Sequence, residues 1–145
     1  MENLETNPEK KIIKLDFKDS KYATGRRKKS IAKVWVKKGS GNIYVNGLKM
    51  NDYFKRPVHQ IIVTRPLEIT EVRTNYDVKC SVRGGGLSGQ AGAIILGISK
   101  ALISHDEVLK KSLKKDKLTT RDSRVVERKK YGHRKARRSF QFSKR

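Results

Sequence analysis

The sequence predicts an α+β domain that is followed by a basic, extended tail. Residues 32–37 and 77–83 alternate apolar and polar side chains, which predicts strands with one buried face. Residues 91–103 are apolar almost all round, which predicts a helix buried against the sheet. From Glu127 onward no aliphatic residue is larger than Ala136, so this segment cannot bury a face on its own protein.

In the first part of the chain, a loose extension is predicted to precede two strands. Residues 1–20 are polar and mostly aperiodic, and we expect them to be loosely ordered. Residues 22–38 open with a basic cluster and continue as a strand with small apolar residues on one side. A Gly-Ser-Gly turn then leads into a second short strand at residues 42–45.

The middle of the chain is predicted to contain both helix and strand. Residues 50–54 suggest a helical turn. Pro57 favours the start of a helix, and Pro66 should end it before the proline ring. Residues 67–72 are then expected to form a strand, which a turn joins to the strand at 77–83.

The buried helix is expected to lie close to the backbone of another element. Gly92 and Gly97 each weaken a helix by about 1 kcal/mol relative to alanine, and a strand passing close by would explain them. Ser104 or Asp106 should cap a last helix that continues to about residue 113.

Charge is the strongest compositional signal. The chain has 145 residues, which is the length of one domain, and a net charge of +22. Residues 21–38 contribute +8 and residues 114–145 contribute +11. Because a generic soluble enzyme has no reason to concentrate charge in this way, a polyanionic partner is the simplest explanation.

The sequence also suggests one reducing compartment. Cys80 is the single cysteine, so no disulfide framework is expected. We expect no apolar run to approach the length of a membrane span, and no membrane partner is predicted. The first twenty residues have no signal-peptide core, and their five acidic residues argue against a transit peptide. We therefore expect a cytosol-like location.

The segment VRGGGLSGQAGA at 82–93 fits two nucleotide-binding patterns. Gly84, Gly86 and Gly89 match G-x-G-x-x-G, and the spacing also matches a P-loop in which Gln90 replaces the lysine. A dinucleotide fold needs a parallel βαβαβ sheet near the amino terminus, and no strand follows the helix here. We therefore interpret the loop as a tight strand-to-helix turn, with an RNA phosphate as the remaining possible ligand.

Catalytic and metal sites are not indicated. The three histidines are scattered without metal-ligand spacing. Cys80 lies on the apolar side of a strand and is expected in the core. Ser88 lacks the nucleophile-elbow pattern. We expect no enzyme activity and no cofactor or metal.

Three segments in this order resemble small-subunit ribosomal protein nine, of the bacterial and organellar type. They are YATGRRKKSIAKV from Tyr22, VRGGGLSGQAGA from Val82, and the tail from Arg121 through ERKKYG to QFSKR. The resemblance covers residues 21–145 and leaves the first twenty residues without a role.

The resemblance implies a mixed four-stranded sheet with helices on one face, akin to the second domain of ribosomal protein five, with a left-handed βαβ crossover. It implies a place in the head of the small subunit, on the 3′ major domain of its ribosomal RNA and beside other head proteins. It also implies that the tail reaches the peptidyl site and touches the anticodon stem-loop of tRNA through Ser143, Lys144 and Arg145. The location would be the cytoplasm, or the organelle matrix if the protein is organelle-encoded.

The sequence divides into an extension at 1–20, a globular domain at 21–118 and an RNA-binding tail at 119–145. Cations bind phosphate and interleaved aromatics stack on bases. The predicted ribosomal-RNA-binding residues are Arg26, Arg27, Lys28, Lys29, Arg83, Gly84, Gly85, Gly86, Arg121, Arg124, Arg128, Lys129, Lys130, Tyr131, Arg134, Lys135, Arg137, Arg138, Phe140 and Phe142.

Two other functions remain open from sequence. One is a free-standing nucleic-acid packaging protein that is indifferent to sequence, and the other is a nucleotide enzyme that uses the glycine loop. The tail also departs from the family pattern at two places. His133 stands where an aliphatic residue or a lysine is more usual, and Ser139-Phe140 stands where Ala-Pro is more usual. The loss of proline is expected to make that part of the tail more flexible.

Overall fold

The computed structural model describes residues 17–144, so residues 1–16 and Arg145 lie outside the described part. Within it the chain forms five strands and four helices. In chain order they are β1 (Lys21–Arg27), β2 (Ser30–Lys38), β3 (Ile43–Val45), β4 (Leu48–Lys49), α1 (Met50–Tyr53), α2 (Pro57–Ile69), β5 (Tyr76–Arg83), α3 (Leu87–His105) and α4 (Leu109–Lys115).

The strands form one mixed sheet in the order β1-β2-β5-β3-β4. The β1–β2, β2–β5 and β3–β4 pairs are antiparallel, and β3 and β5 are parallel. The α+β class and the mixed sheet are confirmed, but the sheet has five strands instead of the four expected. The extra strand is β4, a two-residue edge formed after a turn at Asn46 and Gly47, both of which have positive φ. The handedness of the β3-to-β5 crossover stays a prediction.

The strand predicted after the basic cluster is confirmed as β2, but the residues before the turn form a second strand, β1, which was not predicted, and the two strands pair as a hairpin. The chain turns at Lys28 and Lys29, and Lys28 adopts a left-handed φ of 51°. The turn could not be predicted from the sequence because it contains neither glycine nor asparagine, the residues that usually mark two-residue hairpins. The predicted basic cluster is therefore the tip of a β-hairpin, where the cations of the turn are exposed.

The strand predicted at residues 67–72 is wrong. Helix α2 continues through Pro66 to Ile69, because Pro66 and Leu67 are buried with the core. The helix ends at Ile69 with Thr70 as its C-cap, and the next residue, Glu71, has a φ of 55°. The Glu71 N–H donates to Glu68 O at 3.1 Å, and the Val72 N–H donates to Leu67 O at 3.0 Å. These two bonds form a Schellman C-cap without the glycine that usually identifies one.

Helix α3 is the central helix, and it is longer than the predicted 91–103. It begins directly after Gly86 and runs for 19 residues. The expectation that no apolar run approaches the length of a membrane span is wrong. By length and composition alone, α3 could cross a membrane. Its apolar residues instead pack in the core of the domain, where Ile94, Ile98 and Leu102 are fully buried.

The last helix, α4, was predicted in the right place. Ser104 belongs to α3, so Ser104 is not a cap. Asp106 is not the cap either, because Val108 is at the N-cap position of α4 and no side chain caps the helix. Asp106 accepts a hydrogen bond from the Val108 N–H at 3.0 Å, just before α4 begins. Leu113 is the buried residue of this short helix, and it attaches α4 to the core.

One face of the sheet forms the core with α3. The alternating residues Ala32, Val34 and Val36 of β2 are fully buried, and Val78, Cys80 and Val82 of β5 lie beside them. The predicted alternation of both strands is therefore confirmed. Burial also raises the pKa of the Cys80 thiol, so it is held in its unreactive form.

The predicted close approach at the helix glycines is also confirmed. A Cβ on Gly97 would lie 2.5 Å from the Val34 side chain and 3.4 Å from the backbone nitrogen of Gly25 in β1. A Cβ on Gly92 would overlap the side chain of Arg27. Because both elements have glycine at their contact, α3 lies directly on β1. The hairpin tip therefore lies beside the N-terminus of α3.

Candidate nucleic-acid interface

The structure brings three of the predicted RNA-binding segments together at one end of the domain. The hairpin tip, the glycine loop and the start of the tail enclose one open pocket. It is lined by Lys28, Lys29, Gly85, Gly86, Ser88, Gly89, Val125 and Val126. The two lysines are exposed, so this end of the domain presents cations next to backbone N–H groups at the start of α3.

The glycine loop is closed by its own hydrogen bonds. Gly84 and Gly85 have φ values of 76° and 63°, which favour glycine. The Gly84 carbonyl accepts hydrogen bonds from Ser30 Oγ at 3.0 Å and from Gln90 Nε2 at 3.2 Å. Gln90 Oε1 also accepts a hydrogen bond from Tyr53 Oη at 2.7 Å. The residue at the P-loop lysine position therefore ties the loop to the domain, which favours the tight-turn interpretation.

The four cations of the hairpin have different surroundings. Arg26 points to the open face of the sheet and is exposed. The two lysines of the turn are exposed as well. Arg27 points the other way, across Gly92 of α3, and is only half-exposed. Its Nη2 lies 3.4 Å from a carboxylate oxygen of Asp122. Arg27 is therefore an anchor for the start of the tail, while its neighbours stay available to a ligand.

Asp122 is the centre of this anchor, and the sequence analysis gave it no role. Its carboxylate accepts hydrogen bonds from Arg124 Nη2 at 2.8 Å, from Arg124 Nε at 3.0 Å and from the Arg124 backbone N–H at 3.1 Å. Arg124, and to a lesser extent Arg27, hold the pKa of Asp122 well below its usual range. The signal in the sequence was an acidic residue within a basic tail, because such an acid indicates that some of the nearby cations are paired within the protein.

We predict that Asp122 stays ionised when the solution is acidified through pH 4. Its lowered pKa means that the contribution of the carboxylate is present above the ordinary aspartate value of about 3.9 and is lost only below it. An NMR titration of the Asp122 carboxyl should therefore show a midpoint below that value.

The two arginines should contribute unequally to this shift. Arg124→Gln should raise the midpoint toward the ordinary value, because it removes the hydrogen bonds of the guanidinium while the backbone N–H at this position still donates. Arg27→Gln is the matched variant, and it should move the midpoint less. Equal shifts in the two variants would contradict this assignment.

Further along, the tail residues are exposed and contact mainly each other. Tyr131 and Phe142 are 91% and 87% exposed. The guanidinium of Arg128 lies 5.8 Å from the ring centroid of Tyr131, and that of Arg134 lies 5.2 Å from that of Phe140. These pairs place a cation beside an aromatic ring, which suits phosphate binding beside base stacking.

The residues that depart from the family pattern form a loop together. His133 and Ser139 pair as an antiparallel bridge, and Ser139 Oγ lies 3.3 Å from His133 Nδ1. The Arg134 N–H donates to Arg138 O at 2.8 Å inside this loop. Glu127 closes it from outside, through ion pairs with Arg137 at 2.9 Å and Lys130 at 3.1 Å. The flexibility expected from the missing proline is thus opposed by contacts among the substituted residues.

Other residues that the sequence predicts to bind RNA or tRNA are also exposed. Arg83 is the last residue of β5 and is exposed, as are Arg121, Lys129 and Lys135. Ser143 and Lys144 are exposed at the end of the described chain, and Arg145 lies outside it. The open face of the sheet, with Tyr22 and Trp35, was not predicted as a binding surface.

Exposed cations beside exposed aromatic rings, on a small α+β domain with a basic tail, define an RNA-binding protein. The comparison with protein families is specific. The model of the family described as ribosomal protein S9/S16 matches residues 25–145, and the chain belongs to that family. It is therefore a structural constituent of the small ribosomal subunit that binds ribosomal RNA.

Proposed function

We propose that the chain is a non-catalytic protein of the small-subunit head, which organises ribosomal RNA and steadies tRNA in the peptidyl site. The domain at 21–118 docks on the 3′ major domain of the RNA and on neighbouring head proteins. The tail at 119–145 fills the space where RNA segments converge, and its tip contacts the anticodon stem-loop. Family membership supports the ribosomal part of this proposal.

The observation that carries the proposal is the exposure of the tail cations. Beyond Asp122 the arginines and lysines are exposed along the described tail, and Glu127 is the one acid among them. Phosphate repulsion limits how closely RNA strands can pack, and this cationic segment would offset it. Contacts to phosphate carry no base identity, which suits a tip that must accept every tRNA.

The catalytic alternative has little support in the geometry. The thiol of Cys80 is buried with a raised pKa, and Gln90 is engaged in closing the glycine loop. Gly86→Val tests the remaining nucleotide-enzyme hypothesis, because that hypothesis requires measurable ATP or NAD affinity that this substitution removes.

Sedimentation separates the proposal from the packaging alternative. The protein should travel with small subunits after a moderate salt wash, because docking combines phosphate contacts with a shaped domain surface. A free-standing packaging protein would instead remain in the soluble fraction and bind duplex DNA as well as ribosomal RNA. That result would refute the ribosomal role.

Removal of residues 143–145 tests the tip. Subunits should still assemble, and tRNA affinity in the peptidyl site should fall by about tenfold, since two charge-assisted contacts are lost and the terminal carboxylate already offsets part of their charge. Filter binding of tRNA to programmed subunits measures this. Lys114→Gln with Lys115→Gln, which removes the same charge from the exposed end of α4, is the matched control. Equal tRNA binding by the truncated and full-length proteins would overturn the role of the tip.

A further inference from the structure

The second face of the sheet carries a pattern of its own. Outward residues of β1, β2 and β5 form three rows across the sheet, set by the strand register. Taken along the strands, the rows are Tyr22, Trp35 and Lys79, then Thr24, Lys33 and Ser81, then Arg26, Ile31 and Arg83. Tyr22 is 49% exposed and Ile31 is 44% exposed, although both lie on strands of a folded sheet.

This face is cationic. Five of the outward positions on the three strands are lysine or arginine, and Asp77 is the one acid among them. Asp77 is already engaged, because its Oδ1 accepts hydrogen bonds from the Asn42 N–H at 2.8 Å and the Ser40 N–H at 3.0 Å. Lys33 and Arg83 line a shallow pocket together with Ile31 and Ser81. This part of the face therefore offers the positive charges of Lys33 and Arg83 next to apolar and hydroxyl groups.

The aromatic pair lies at the other end of the same face. The rings of Tyr22 and Trp35 are 5.3 Å apart at an interplanar angle of 43°. Lys79 Nζ lies 5.9 Å from the Trp35 ring centroid, so the pair sits beside a cation. Tyr22 is the more exposed member of the pair, so its ring can accept a stacked base.

We propose that this face binds a short stretch of unpaired RNA, with a base stacked on Tyr22 and phosphates held by Lys33 and Arg83. The inference rests on the proposed function, which brings the chain to ribosomal RNA. Unpaired RNA fits better than a duplex, since a flat sheet cannot enter the narrow major groove of A-form RNA and duplex bases hide their faces. Aromatic rings among cations on a sheet suit exposed bases and phosphates together.

The chain itself offers a competing occupant. The ring of Phe17 lies next to this face, with its centroid 5.8 Å from Lys79 Nζ. Residues 1–16 continue from there, and they include the apolar residues Ile13 and Leu15. Coverage of the face by this segment is therefore an outcome that the experiment must separate from RNA binding.

Trp35 is the single tryptophan of the chain, which makes its fluorescence specific for this face. The full-length protein is titrated with a uridine 12-mer and with a 12-base-pair RNA duplex. The anisotropy of a labelled copy of each RNA reports total binding, most of which we expect from the tail. The single strand should quench Trp35 emission, whereas the duplex should bind without comparable quenching.

Two variants test the contacts. Tyr22→Leu should weaken the quenching transition about tenfold, which is the range for loss of one base–aromatic stack. Lys33→Gln with Arg83→Gln changes two exposed side chains, so folding should be kept, and it should weaken the transition by a similar factor. Lys110→Gln with Lys111→Gln on α4 removes the same charge elsewhere and should leave it unchanged. Circular dichroism checks that each variant is folded.

The outcomes are distinguishable. Oligonucleotide binding that leaves Trp35 emission unchanged would overturn the sheet-face site while the proposed function stands. The absence of any RNA binding by anisotropy would count against the proposed function itself. If Ile13→Ser with Leu15→Ser makes Trp35 more accessible to acrylamide and the 12-mer still does not quench it, the N-terminal segment is the occupant and the RNA proposal is wrong.

Discussion

Gly25→Ala should lower the free energy of unfolding by about 3 kcal/mol, the upper part of the usual range for overpacking a core. Gly25 is buried in β1, and a Cβ there would overlap the carbonyl oxygen of Ala93 and lie 2.6 Å from the nitrogen of Gly97. Both atoms belong to the backbone of α3, so no rotamer change can relieve the contact. Intrinsic preference alone predicts the opposite sign, because glycine in a strand costs roughly 0.5–1 kcal/mol relative to alanine.

Urea unfolding followed by Trp35 fluorescence measures this effect. Thr24→Val is the matched control, since it lies on the same strand but on the exposed face and adds little volume. It should change stability by less than about 0.5 kcal/mol. An unfolding midpoint of Gly25→Ala equal to that of the natural sequence would show that α3 can move away from β1.

The close packing of β1 on α3 shows what sequence patterns can and cannot predict here. The strands β2 and β5 were predictable because each alternates over at least six residues. Strand β1 was not, since its inward positions are Ala23, Gly25 and Arg27, which do not form a row of apolar side chains. The glycines of α3 did predict that a backbone passes close, but their identity could not reveal which strand it was.

The error at α2 has a related cause. Pro66 costs a helix one hydrogen bond and usually ends it. In this chain the burial of Pro66 and Leu67 outweighs that cost, and the Schellman cap at Glu71 ends the helix instead. A local rule failed because packing against α3, which depends on distant residues, decided the outcome.

The candidate interface was predictable in composition and not in detail. Runs of lysine and arginine identified the hairpin tip and the tail. They could not show that Arg27 and Arg124 serve Asp122, or that Glu127 engages Lys130 and Arg137. These acids change the number of cations that remain available to RNA, which is the quantity that sets the salt dependence of binding.

Replacing Arg134, Lys135, Arg137 and Arg138 with glutamine should weaken binding to ribosomal RNA by about a hundredfold to a thousandfold at 0.1 M salt. Each phosphate contact contributes roughly 0.7 to 0.9 to the slope of the logarithm of the binding constant against the logarithm of salt concentration. Four lost contacts should therefore reduce this slope by about 3. Arg137 is already paired with Glu127 at 2.9 Å, so its share should be the smallest of the four.

The test is a set of binding curves on ribosomal RNA fragments between about 0.05 and 0.3 M salt. A matched variant replaces Lys110, Lys111, Lys114 and Lys115 of α4 with glutamine, which removes the same formal charge from the folded domain. Its slope should change much less, because these lysines lie outside the hairpin tip, the glycine loop and the tail. If both variants lowered the slope equally, net charge alone would govern binding and the loop closed by His133 and Ser139 would have no special part in it. If only the tail variant lowered it, the affinity would lie in the cations that this loop presents together.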